Sequence, residues 1–157
     1  MTTIGLEMTS PSQLVAGRPP PTPLTLDEVK ADAAPLIRSL YNRTFPSPGG
    51  RTDWSVDRWS DELSRPGIHT WVAHVDNSPA GFAVLSAEPT GAVGIVVFGV
   101  VPEFRSKGYG AAFLTLTTRT AWRLNTPTTR VWLQTSTRDH PHALPNYRSR
   151  GFHLFTP

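Results

Sequence analysis

The stretch Gly94-Ile95-Val96-Val97-Phe98-Gly99-Val100-Val101-Pro102-Glu103-Phe104-Arg105-Ser106-Lys107-Gly108-Tyr109-Gly110-Ala111-Ala112 decides how the chain is read. Its opening run is apolar and rich in β-branched side chains, so it favours an extended strand. Pro102 lacks an N–H and ends that run. A short basic loop with two glycines follows, and from Tyr109 the residues favour a helix. The predicted order is strand, loop, helix. The first amides of such a helix face the loop without intrahelical partners, and glycines there permit close approach, which suits a diphosphate. The helix dipole contributes about 0.3 to 1 kcal/mol toward an anion, and Arg105 and Lys107 add full charges.

The glycine spacing separates this loop from two other phosphate binders. A P-loop needs Gly-Lys-Ser/Thr after a four-residue gap, whereas Gly108 is followed by Tyr109-Gly110. A dinucleotide fingerprint needs a third glycine further on, at a place held here by Phe113.

What remains is Arg105-x-x-Gly108-x-Gly110 behind an apolar strand, followed downstream by Ala143-Leu144-Pro145-Asn146-Tyr147-Arg148-Ser149-Arg150-Gly151-Phe152. The first pattern resembles the pyrophosphate-binding motif of the GNAT superfamily of acetyl-CoA-dependent N-acetyltransferases. The second is similar to that superfamily's Ala-Leu-x-x-Tyr-x-x-x-Gly-Phe signature. They occur in the expected order, and the resemblance extends over residues 68 to 155. It implies a mixed α/β sheet (α+β) with antiparallel N-terminal strands, a parallel central pair and helices on both faces.

The remaining segments are read from their own patterns. Ile68–Val75 and Ala80–Ala87, joined by Asp76-Asn77-Ser78-Pro79, predict an antiparallel hairpin, and Pro89-Thr90-Gly91 returns the chain into the central strand. Tyr109–Leu124 predicts the main helix, with Ala112, Phe113, Leu116, Thr120 and Leu124 on its buried face. Arg130–Thr135 predicts a strand parallel to the central one, joined by a right-handed crossover. A helix from His142 or Ala143 ends at Gly151, and Phe152–Phe155 forms a last strand. Apolar residues three and four apart over Thr25–Arg43 predict a helix that Pro35 kinks or divides. Trp54–Leu63 predicts a second helix with Trp54 or Trp59 turned inward.

Residues 1–25 carry five prolines and predict a flexible arm, mobile over at least its first ten residues, with a possible edge strand at Gln13–Ala16. Residues 26–157 then form a single domain. Superfamily members usually have one further strand beside the last. Here it is either missing or supplied by a partner molecule or by the N-terminal arm, and a homodimer is one expectation.

Composition narrows the function classes. With 157 residues, 38% hydrophobic and 17% charged, the chain suits one soluble domain, and no apolar run nears the roughly 18 residues of a membrane span. No N-terminal basic region precedes an apolar stretch, so the expected location is the cytoplasm. Cysteine is absent, which excludes disulfides, thiolate metal sites and a cysteine nucleophile. Residues 1–100 hold seven Lys/Arg against ten Asp/Glu, and residues 101–157 hold eight against two. The basic half is the half with the anion loop, so a polyanionic cofactor accounts for it as well as DNA would. No nucleic-acid motif supports DNA, and neither nucleic acid nor a membrane is an expected partner.

The resemblance also assigns roles. The backbone of Phe98, Gly99 and Val100 pairs with the pantetheine arm of acetyl-CoA, and Gly99 eases the splaying this requires. Arg105, Ser106, Lys107, Gly108, Tyr109 and Gly110 surround the diphosphate, and His140 stands where relatives often have an asparagine that contacts the cofactor. A main-chain N–H near Phe98 or Val100 polarises the carbonyl. Tyr147 is the general acid, because a phenol with an ordinary pKa near 10 can protonate a departing thiolate. No carboxylate lies between Gly91 and Val101, where relatives place a base. Glu103, Glu88, His69, His74 and Asp139 stay open as substitutes. The implied activity is N-acetylation of an amine on a small-molecule or amino-acid-like acceptor, which the acidic N-terminal half suggests is cationic. A non-catalytic CoA-binding sensor of the same fold is the alternative.

Overall fold

A computed structural model describes residues 3–46, 49–136 and 141–155. Seven strands form one sheet: β1 (Thr3–Met8), β2 (Thr25–Val29), β3 (Ile68–Val75), β4 (Ser78–Ala87), β5 (Ala92–Val100), β6 (Arg130–Ser136) and β7 (His153–Leu154). Their spatial order is β2-β3-β4-β5-β6-β1-β7, and among the described residues only β5 and β6 pair in parallel. Helices α1 (Ala34–Thr44) and α2 (Val56–Leu63) pack on one face, around Trp59, Phe82 and Val84. Helices α3 (Tyr109–Trp122) and α4 (Ala143–Ser149) cover the other, around Leu85, Phe113 and Leu133. No helix among the described residues is long and apolar enough to cross a membrane.

The hairpin is tighter than its composition suggests. Asp76 and Asn77 take φ values of 49° and 68°, and Val75 pairs directly with Ser78, so two left-handed residues make the turn. Pro79 is then already within β4. On α3, Thr115, Thr118 and Thr120 donate their hydroxyls to the carbonyls one turn back, which satisfies poor helix formers inside the helix. Its buried face includes Leu114, Thr115, Thr117 and Thr118, whereas Leu116 and Thr120 are only half-buried. The extra cover comes from the N-terminal segment, where Gly17 N–H donates to Thr115 Oγ1 at 2.9 Å.

Three expectations need correction. Thr25–Val29 is strand β2, antiparallel to Thr70–His74, and helix α1 starts only at Ala34. Pro35 therefore sits in a first turn, where a missing N–H costs nothing, and kinks no helix. Residues 3–8 are strand β1 rather than part of a mobile arm: Leu6 and Met8 are fully buried, and the five prolines of residues 1–25 all come later. Gln13–Ala16 is not a strand: Gln13 ends a 3₁₀ turn over Pro11–Gln13 that Ser10 caps, and residues 14–16 continue without regular structure. The segment then crosses α3 and α4, with Val15 N–H donating to the Arg150 carbonyl at 2.9 Å.

β1 lies between β6 and β7, pairing Leu6 with Leu133 on one side and with Leu154 on the other. The N-terminal segment thus provides a strand that pairs with β7, and β7 is the end strand of the sheet.

Candidate functional site

The sheet opens where the site forms. β5 and β6 pair over Ala92–Ile95 and Arg130–Leu133, and then they part. From Val96 to Val100, β5 has no ladder partner on the β6 side among the described residues. On its other side β5 stays paired with β4, but Val84 faces Val97 while Leu85 faces Ile95, so Val96 is an extra, bulged residue. The bulge reverses the alternation: Val93 and Ile95 face α3, and beyond it Val97 faces α1 and α2 while Phe98 faces α3. The distortion belongs to Val96 and not to Gly99. Gly99 is required for a different reason, since a Cβ there would lie 2.6 Å from Thr44 Cγ2 at the end of α1.

Two clefts flank the opening. The first, of about 310 Å³, is lined by Phe98, Gly99, Val100 and Arg105, by Ser106, Gly108 and Gly110 of the loop, and by His142, Asn146 and Tyr147. The second, of about 450 Å³, is lined by Tyr41, Arg51, Ile95, Val97, Leu133, Gln134 and Ser136 among others. Phe98, Arg105 and Tyr147 border both, together with Thr44 and Phe45. Tyr147 is almost fully buried, with its ring edge-on to Phe98 at 6.3 Å between centroids.

The loop is built for close approach. Ser106 and Gly108 take φ values of 60° and 89°, turning the chain sharply into α3. A Cβ at Gly110 would meet nothing nearer than Asn146 Nδ2 at 3.7 Å and Val100 Cγ2 at 3.9 Å. A methyl group would fit there in ordinary van der Waals contact, and with glycine that volume is left to the cleft. Lys107 is exposed at the rim.

Two residues of the loop serve differently from what their spacing suggests. Tyr109 is turned into the core against Phe104, ring centroids 5.5 Å apart, so only its main chain faces the loop. Arg105 donates from Nε to the Val100 carbonyl at 3.0 Å and from Nη2 to the Thr44 carbonyl at 2.7 Å, tying the end of β5 to the end of α1. Burial lowers its pKa from the ordinary guanidinium value, and Glu103 opposes that shift.

The candidate bases lie elsewhere. Glu103 is paired with Arg43, and Glu88 accepts from Trp132 Nε1 at 2.6 Å. His69 and His74 stand on β3 beside Glu28 and Asp27, at 3.1 and 3.0 Å. None of these lines either cleft. Gly94 has no side chain because one would collide with Trp132, 2.7 Å from its Cβ position. His140 and Asp139 lie outside the described residues.

Sequence reading did not single out Asn146, Arg51 or Tyr41 as site residues. Asn146 adjoins Tyr147 on α4, and its proximity in sequence was a usable signal. Arg51 and Tyr41 gave none, because the second cleft draws on four separated stretches of chain.

No curated protein matches the sequence. Among solved structures the fold is similar to a GCN5-related N-acetyltransferase from Kribbella flavida, with TM-score 0.67, 18% identity, and 96% of this chain covering 53% of that one. A GCN5-related N-acetyltransferase from Sphaerobacter thermophilus gives TM-score 0.72 and 17% identity, over 98% of this chain and 48% of that one. An aminoglycoside N-acetyltransferase in complex with CoA gives TM-score 0.63 and 18% identity, over 89% and 94%. At these identities the likeness is one of fold, and the chain spans about half the length of the first two structures. The model of the acetyltransferase (GNAT) family matches residues 34–152, and the chain belongs to that family.

Proposed function

We propose that the protein transfers an acetyl group from acetyl-CoA to the primary amine of a small-molecule or amino-acid-like acceptor, by direct attack with both substrates bound. The carrying observation is the opening between β5 and β6, where two clefts meet at Phe98 and Tyr147. When bound, acetyl-CoA supplies an acetyl group activated as a thioester. The residues present suit it: the β5 edge from Val96 to Val100 has no strand partner on that side, and Gly110 leaves room beside Asn146.

In this reading Phe98, Gly99 and Val100 offer main-chain groups to the pantetheine arm, and the amides of residues 106–110 hold the diphosphate. Lys107 adds charge from the rim, and His140 keeps the cofactor contact that the resemblance implies. Arg105 fixes the loop and contributes its field. A β5 amide polarises the acetyl carbonyl as the amine nitrogen forms the new C–N bond; Tyr147 gives its phenolic proton to the departing sulfur as the C–S bond breaks, and the proton lost by the nitrogen passes through solvent to restore the phenol. No carboxylate of the described residues lines either cleft to take the amine's proton. The positive charge of Arg105 at the junction instead disfavours the ammonium form of an amine beside it, so the acceptor is held neutral.

Thiol release from acetyl-CoA against amines, aminoglycosides, polyamines and peptides tests the proposal. Tyr147→Phe is expected to lower kcat about 100-fold while CoA binding holds. Undiminished activity in that variant removes Tyr147 as the acid. Tight CoA binding without turnover of any amine supports the alternative, a non-catalytic CoA-binding sensor, which the carboxylate-free lining favours.

A further inference from the structure

The second cleft contains a cation whose hydrogen-bonding capacity is not used up. Arg51 follows Gly49 and Gly50, both at positive φ, and its main-chain N–H donates to Tyr41 Oη at 3.0 Å. The guanidinium lies 4.5 Å from the ring centroid of Trp54 and 5.4 Å from that of Trp59, so aromatic faces hold it in place. Its Nη1 is fully shielded from solvent and has no hydrogen-bond partner among the described residues. Arg51 as a whole is only half-buried and lines the cleft, and a carboxylate matches its planar donor fork.

The surroundings agree. Arg51 and Arg105 both line this cleft, and no Asp or Glu does so among the described residues. The nearest carboxylate influence is Glu62 of α2, which is bound to Arg65 at 2.7 Å and makes no ion pair with Arg51. Burial lowers the Arg51 pKa from its ordinary value and Glu62 opposes that shift; a guanidinium is not deprotonated in proteins, so the side chain is a cation. Ile95, Val97, Phe98 and Leu133 give the cleft an apolar wall, and its other polar side chains, Thr44, Gln134 and Ser136 among them, carry no charge. Two cations and no anion would repel a polyamine or an aminoglycoside. The cationic acceptor suggested by the charge of the N-terminal half is therefore not the one this lining suits.

We infer that Arg51 recognises a carboxylate on the acceptor, so that the substrate is an apolar amine carrying an acid group, as a free amino acid does. The inference rests on the acetyltransferase reading of the adjoining cleft. It makes Arg51 a specificity-determining residue, whose loss acts on acceptor KM and leaves CoA binding alone.

The test uses matched acceptors with the full chain: phenylalanine, phenylalaninamide and phenethylamine, the corresponding leucine series, and spermine and kanamycin as polycations. Thiol release is expected to favour each amino acid over its amide and its decarboxylated amine by at least about tenfold in kcat/KM, the size of one charge-assisted contact. In Arg51→Gln that ratio should fall to near unity through KM, and Arg51→Lys should recover part of it even if the glutamine variant folds poorly. Saturation-transfer NMR on the CoA-loaded protein gives a readout independent of turnover: phenylalanine should bind, phenethylamine should not, and Arg51→Gln should abolish the difference. Preference for the amide, the amine or a polycation overturns the inference, as does a ratio that survives in Arg51→Gln or a lack of turnover and binding for every amino acid. Calorimetry with CoA separates the two levels, because absent CoA binding would mean that the acetyltransferase reading itself has failed.

Discussion

The two halves of the sheet are built by different means. Strands β2 to β5 draw on residues 25–100, with β3, β4 and β5 successive and joined by short turns. The other half, β6-β1-β7, is assembled from residues 130–136, 3–8 and 153–154. Among the described residues the halves share only the four pairs from Ala92 to Ile95, and both clefts border the place where they separate. The site is thus a seam between a locally connected half and a half closed by the two ends of the chain. Anything that loosens β1 loosens one wall of it.

The largest effect is expected from that dependence. Leu6 is fully buried in the core that contains Ile95, Phe113 and Leu133. Leu6→Ala should cost about 2 to 5 kcal/mol, the range for a buried leucine in a packed core. Urea unfolding should show one cooperative transition at a lower midpoint. An unchanged midpoint would show that β1 contributes no stability, and a separate early transition would show that the two halves unfold independently.

The same contrast explains what could be read in advance. The hairpin was legible because Asp76-Asn77 is a turn dipeptide whose partners are adjacent in sequence, and the anion loop because its residues are also consecutive and Gly108 takes a left-handed φ of 89° that favours glycine. β1 was not legible because its alternation, Ile4, Leu6 and Met8, is short and its partners lie more than 120 residues away. β2 was misread because Leu26 and Val29, three apart, fit a helix that continues through Ala33, Leu36 and Ile37. Pairing with β3 overrode that periodicity. The bulge at Val96 leaves no mark in a uniformly apolar run. Arg51 was silent because its meaning comes from Trp54, Trp59 and the far strands that complete its cleft.

A second prediction sharpens the comparison at the seam itself. Gly110 lies in the first turn of α3 with room around its missing Cβ, so Gly110→Ala introduces no clash and should raise stability by up to about 1 kcal/mol through helix propensity. The methyl group would occupy space proposed for the cofactor, and CoA affinity should fall about 10- to 100-fold, or about 1.4 to 2.8 kcal/mol. Thermal melting without ligand and calorimetry with CoA give opposite signs if the gap is a binding feature. If affinity is unchanged, the gap is incidental packing.

The smallest effect belongs to the outer edge of the locally connected half. Glu28 on β2 accepts from or pairs with His69 Nδ1 at 3.1 Å on β3, and Lys30 Nζ lies 3.4 Å away. The hydrogen bond to His69 lowers the Glu28 pKa below its ordinary value, partial burial opposes this, and Lys30 adds to the lowering. A carboxylate whose folded pKa is depressed stabilises the protein above its unfolded pKa, and that contribution disappears as pH falls through the folded value. Because the pair is a third exposed, Glu28→Gln should cost less than about 1 kcal/mol at pH 7. The gap between the urea midpoints of wild type and variant should close as the pH drops below the ordinary carboxylate range. A gap that widens toward acid would mean that Glu28 is held in its protonated form, and that β2 is fastened to β3 by its ladder alone.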